Sequence, residues 1–83
     1  MTEKGKTKDE RFLLALYELA IERGGKFTAV DRDHVGEKVG LHARGINTIC
    51  NLLLQANFIK KNGPSAVALT PHGYQLVERL LAE

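Results

Sequence analysis

Tryptophan is absent from this 83-residue chain, cysteine occurs once, and the aromatic residues are three phenylalanines and two tyrosines. A single cysteine, Cys50, excludes an intrachain disulfide framework and fits a reducing compartment. Together with His34, His42 and His72 it lacks the spacing of metal ligands. No apolar run approaches the ~20 residues that a membrane-spanning helix requires. Residues 1–6 lack the apolar segment of a secretory signal. The expectation is a cytoplasmic protein with no membrane association. A glycine-rich phosphate loop followed by lysine is also missing, and no Ser/His/Asp set stands near a catalytic motif. An enzyme, a cofactor and a metal are all unexpected.

Carboxylates are missing from the middle of the chain. The formal net charge is only +2, too small as a bulk figure to argue for a polyanionic partner. Its distribution is more informative. Residues 1–37 carry seven basic and eight acidic side chains, a net of −1, and residues 78–83 are again −1 through Glu78, Arg79 and Glu83. Between them, residues 38–77 hold Lys38, Arg44, Lys60 and Lys61 and no acid, a net of +4. A surface without carboxylates suits phosphate, because each local acid would repel it.

What is present fits one small domain. Hydrophobic residues make up 43% and charged residues 27%, ordinary for a soluble globular protein. A chain this short buries roughly 60% of its unfolded surface. Residues 1–8 are polar and lysine-rich without periodicity and read as a flexible basic tail. From Asp9, Phe12, Leu13, Leu16, Leu19 and Ala20 recur at helical spacing, and Gly24-Gly25 stops that helix. Residues 26–30 are β-prone, a first strand or an extended linker. Asp31 offers an N-cap to a short helix bearing Val35 and Val39, which Gly40 ends. A third helix begins near His42 or Ala43. Ile46, Ile49, Cys50, Leu53 and Leu54 form its inward stripe, and Arg44, Asn47, Thr48, Asn51 and Gln55 its outward face. Asn57 suits a left-handed terminator. Residues 58–61 and 66–70 flank a turn at Asn62-Gly63 and read as a hairpin. Thr70 and Pro71 cap and start a last helix, with Tyr74, Val77 and Leu81 as its inner stripe.

The order of these segments resembles the winged helix-turn-helix domain of bacterial and archaeal transcription regulators of the MarR and ArsR groups. The stretch from Asp33 to His42 matches the helix-turn with its Gly40-Leu41 corner. Residues 53–59 match the passage from recognition helix to wing, and Leu69-Thr70-Pro71-His72-Gly73 matches the start of the final helix. The resemblance covers residues 9–83. It departs at His42, where serine or threonine is usual, and at Gly45 in the first turn of the recognition helix, where glycine costs about 1 kcal/mol against alanine. The fold class it implies is α+β, mainly α: a three-helix core, a β-hairpin wing and a C-terminal helix.

The resemblance implies a regulator that binds double-stranded DNA, with the third helix (about residues 42–56) in the major groove and the wing (about 58–70) on the backbone. Arg44, Asn47, Thr48 and Asn51 are the expected base contacts: arginine pairs with guanine, asparagine with adenine, and the threonine methyl meets thymine. A solvated polar face is the plainer explanation, but such a face normally mixes glutamate with lysine, and this one carries no acid. His42, Ala43, Lys60, Lys61, Asn62 and Ser65 are the expected backbone contacts. Lysines on an edge strand also deter strand-to-strand aggregation. The alternative is a winged-helix protein-interaction module without DNA binding. Leu76 and Leu80 form a second stripe on the last helix. This predicts a homodimer through the terminal helices, with Phe12, Leu13 or Tyr17 contributing.

Overall fold

The computed structural model describes residues 6–83. Helix α1 spans Lys8–Arg23. Strand β1 is the pair Val30–Asp31, followed at once by helix α2, Arg32–Lys38. Helix α3 covers Ala43–Gln55, strand β2 Ile59–Lys61, strand β3 Ala66–Leu69, and helix α4 Pro71–Ala82.

The start of α1 is set by a capping box. The Thr7 hydroxyl accepts from the Glu10 N–H, and the Glu10 carboxylate accepts from the Thr7 N–H at 3.0 Å. Two orphan N–H groups are thereby satisfied. The helix begins at Lys8 rather than Asp9, so Lys8, the last residue of the expected tail, belongs to it and Thr7 caps it. Lys6 Nζ lies 3.7 Å from Glu83 Oε1, joining the first helix to the end of the last. Lys4 of the expected basic tail lies outside the described residues.

Helix α1 is the hub. Phe12, Leu13, Leu16 and Ala20 are fully buried, with Ala15 and Leu19 nearly so. They pack on Val30, Val35, Ile46, Ile49, Cys50, Leu53, Ile59, Val67, Leu69 and Val77 in one core. Burying this set is the main force holding so short a chain together.

The sheet is antiparallel in the order β1-β3-β2. β3 sits centrally because each of its neighbours needs it: Val30 pairs with Val67, and Ile59 with Leu69. The β-prone stretch 26–30 forms a strand only at its last residue. Lys26 and Phe27 lie in a turn instead, held by Thr28 N–H donating to Gly25 O at 3.0 Å.

The C-terminal helix is rolled relative to expectation. Its buried residues are Gly73, Val77 and Leu80, whereas Leu81 is 54% exposed and Tyr74 half-buried. The difference is a rotation of roughly 70°, at about 100° per residue. The cause is Gly73. A Cβ at that position would stand 1.9 Å from the Phe58 carbonyl oxygen. Its hydrogen lets the helix lie directly on the β2 approach, and that contact sets the roll. A pattern search for large apolar side chains passes over this glycine. The same correction applies to the expected dimer surface: Leu80, Phe12 and Leu13 are buried within the single chain.

Candidate nucleic-acid interface

Helices α2 and α3 are joined by a tight corner. The Gly36 carbonyl accepts from Val39 N–H at 3.1 Å and from Leu41 N–H at 2.9 Å, while Gly40 N–H donates to Glu37 O. Gly40 adopts φ 77°, the left-handed conformation that a side chain would resist. The axes approach closely enough that Gly36 has no room for a methyl group beside Ile46. This packing holds α3 with Ile46, Ile49, Cys50 and Leu53 inward.

Its outward face carries Arg44, Asn47, Thr48, Asn51 and Gln55, all exposed. Leu52 joins them at 53% exposure. Thr48 Oγ donates to Arg44 O at 3.1 Å, so its hydroxyl proton is held within the helix and the remaining offer is the methyl and the oxygen lone pairs. His42 is the N-cap residue in extended conformation, and its side chain makes no capping hydrogen bond. The first-turn N–H groups of α3 thus lack a side-chain cap, and the helix start presents donors and positive dipole to whatever approaches. Cys50 is fully buried on the opposite side, and burial pushes its thiol pKa above the ordinary 9.0, with Arg32 lowering and Asp33 raising it further.

The hairpin turns through residues 62–65, closed by Asn62 N–H donating to Ala66 O at 2.9 Å with Gly63 at φ 95°. Lys60, Lys61, Asn62 and Ser65 are all exposed. Successive strand residues point to opposite faces, so Lys60 and Lys61 leave the ribbon on opposite sides. They cannot act as one double charge. Thr70 joins the wing to α4: its hydroxyl donates to Asn57 O and accepts from Gly73 N–H at 2.9 Å. Asn57 itself takes φ 64°, the left-handed terminator expected of it.

Folding changes the charge pattern in two places. Lys38 Nζ reaches Glu18 Oε1 of α1 at 3.6 Å, so this cation of the acid-free stretch has an acid beside it. Asp31 pairs in register with Ala66, and Arg32 N–H donates to Ser65 O at 2.9 Å. An acid therefore borders the base of the wing. Sequence proximity reveals neither. Among the described residues no group of three or more His, Cys, Asp or Glu could hold a metal, and no helix is long and apolar enough to cross a membrane.

No family model matches the chain, and no curated protein matches it in sequence. Solved structures share its architecture. The PcaV transcriptional regulator from Streptomyces coelicolor, in complex with its natural ligand, superposes with TM-score 0.71 and 21% identity over 95% of this chain. YusO from Bacillus subtilis gives 0.67 and 21% over 96%. The chain has the winged helix-turn-helix fold. It spans 55% and 56% of the length of these two proteins. In winged-helix terms, α2 and α3 are the helix-turn-helix, α3 stands at the position of its second helix, and β2–β3 is the wing.

Proposed function

We propose that this winged helix binds double-stranded DNA and acts in transcription regulation, with α3 in the major groove and the wing on the flanking backbone. The observation that carries the reading is the outward face of α3. Five exposed polar side chains, none of them acidic, follow an uncapped helix start, and a basic hairpin lies next in the chain. Arg44, Asn47, Thr48 and Asn51 are the base-contacting set; His42, Ala43, Lys60, Lys61, Asn62 and Ser65 are the backbone set. The similarity to a transcriptional regulator supports the same reading.

The active species in this proposal is a homodimer. A single module buries little DNA surface, and paired half-sites compensate. The exposed apolar residues near the terminal helices are Ile21, Phe27 and Leu81. Tyr17 is half-buried against Tyr74, with ring centroids 6.0 Å apart, and Leu76 is half-buried against the core.

Titration of a labelled mixed-sequence duplex at two salt concentrations tests the DNA reading. Measurable affinity that falls steeply with salt is expected. Absence of binding at low salt would leave the fold as a protein-docking module.

A further inference from the structure

A groove runs between the first half of α1 and the helix-turn-helix corner. It consists of three adjoining hollows of about 450, 190 and 460 Å³. The first hollow ends in the Lys38–Glu18 pair. The other two contain no carboxylate. Lys8 and Arg11 of α1 form one wall, and Val39, Gly40, Leu41, His42, Arg44 and Thr48 form most of the other.

The two α1 cations are unengaged. Among the described residues the ion pairs are Lys6–Glu83 and Lys38–Glu18, and neither involves Lys8 or Arg11. The Arg11 Nε is buried without a hydrogen-bond partner. That nitrogen is out of reach of a ligand in the groove, so Arg11 meets an anion there through its terminal guanidinium nitrogens. Across the groove stand the uncapped first turn of α3 and the Arg44 side chain. Positive groups thus face each other over a carboxylate-free cleft whose far wall is the start of the recognition helix.

We infer that Lys8 and Arg11 each neutralise one DNA backbone phosphate along this groove, contacts separate from both the recognition helix and the wing. The inference rests on the DNA-binding reading above and adds to it a grip supplied by the first helix. Phosphate held there is fixed relative to the start of α3, so the two cations set how deeply Arg44 enters the major groove. They carry no sequence information, because every nucleotide offers the same phosphate. The sequence alone conceals this. Lys8 looks like part of a tail until the Thr7 capping box places it in the helix, and Arg11 is separated from Arg44 by 33 positions.

The test is the salt dependence of duplex binding for the full chain and for Lys8→Gln, Arg11→Gln and the double variant. Each phosphate contact contributes about 0.9 to the slope of log affinity against log salt. The expected slope loss is about 1 for each single variant and about 2 for the double. Between 50 and 200 mM salt, the double variant should therefore lose about 12-fold less affinity than wild type does. Preference between specific and mixed duplexes should stay the same. Lys8→Gln alters an exposed side chain, so it answers the question even if the half-buried Arg11 proves necessary for folding. Wild-type slopes in Lys8→Gln and in a folded Arg11→Gln would overturn the inference and leave DNA binding intact. No binding by the wild-type chain at low salt would overturn the DNA-binding reading itself, and the phosphate grip with it.

Discussion

Gly36 of α2 and Ile46 of α3 are in such close contact that a Cβ on Gly36 would lie 2.3 Å from both Cγ1 and Cδ1 of Ile46. A Cδ1 methyl can swing aside, but Cγ1 is bonded to an Ile46 Cβ that itself lies 3.5 Å from the same point. The helix-turn-helix crossing therefore depends on a missing methyl group. Gly36→Ala is expected to destabilise by about 1–3 kcal/mol, the usual cost of overpacking, although alanine is the better helix former. Combining it with Ile46→Ala should cost less than the sum of the two single changes, because each makes room for the other. Urea denaturation of the four proteins measures this. Additive costs would mean that the two positions do not press on each other.

Two other helical glycines make opposite predictions. At Gly73 the obstructing atoms belong to the Phe58 backbone, with the carbonyl oxygen at 1.9 Å and the carbonyl carbon at 2.8 Å. That carbonyl also accepts from Thr70 N–H at 3.2 Å, so it cannot retreat without releasing the start of α4. Gly73→Ala should cost at least the ~3 kcal/mol upper end of ordinary overpacking. At Gly45 the nearest obstacle is Leu41 Cδ2 at 3.7 Å, ordinary contact. Gly45→Ala should stabilise the chain by up to about 1 kcal/mol. Thermal melts of the pair decide the matter, and a destabilised Gly45→Ala would contradict the open space around that residue. If Gly45→Ala melts higher yet binds duplex less tightly, the glycine serves close approach of the DNA backbone rather than the fold.

These glycines also show how far the sequence reveals the molecule. Element order, the Asp31 and Thr70 caps, the Asn57 terminator and the two faces of α3 follow from periodicity and from residues whose side chains act locally. The roll of α4 does not, because its determinant is a residue with no side chain meeting a carbonyl fifteen positions earlier. Leu80 and Leu81 exchange roles as a result, and Phe12 and Leu80 move from expected dimer contacts into the core. The outward face of α3 is legible because it lies within one helix. The groove facing it is not, because Lys8 and Arg11 come from a helix that only tertiary packing brings alongside. Lys38 and Glu18 are hidden for the same reason.

Base readout and backbone contact should separate by mutation. Arg44→Ala removes a potential bidentate partner of guanine and is expected to relax preference at one base position, with about 1–3 kcal/mol of discrimination lost. Replacing Lys60 and Lys61 together with alanine should weaken all duplexes about equally and flatten the salt slope. Because the two lysines leave the strand on opposite faces, the single variants should contribute unequally. Binding-site selection from random duplex followed by competition titration measures both. An Arg44→Ala protein with unaltered preference at every position would remove Arg44 from the base-contacting set.

The buried Cys50 makes a prediction in alkali. Burial raises its pKa above 9.0, the value expected of the unfolded chain, so the neutral thiol is the form that folding favours. Its contribution to stability is fully present below pH 9.0 and declines as pH rises through the higher folded pKa. The comparison is with Cys50→Ala, measured by urea midpoint between pH 7 and 10.5, so that every group common to the two proteins cancels. The stability difference between wild type and Cys50→Ala should narrow at high pH. The native thiol should resist alkylation at neutral pH and react once urea exposes it. Rapid labelling of the folded protein would contradict its zero exposure.

The homodimer proposal is tested on the apolar side chains that the monomer leaves exposed. Phe12 and Leu80 hold the core, and changing them would test folding rather than association. The apolar side chains left outside near the terminal helices are Ile21 at 48% exposure, Phe27 at 44% and Leu81 at 54%. The Tyr17–Tyr74–Phe27 ring cluster and Lys26, whose Nζ sits 4.2 Å from the Tyr74 ring centroid, connect the first helix to the last. Replacing Ile21, Phe27 and Leu81 with serine removes apolar surface that the monomer leaves in water, together with the Phe27–Tyr74 edge contact, so the variant should lose some stability and its fold is checked by circular dichroism. Sedimentation equilibrium at high micromolar concentration is expected to give twice the chain mass for wild type and the single-chain mass for the triple variant. Duplex affinity should drop with the mass, because only a dimer grips two half-sites. A wild-type mass equal to one chain would remove the dimer from the proposed mechanism and leave each winged helix to bind DNA alone.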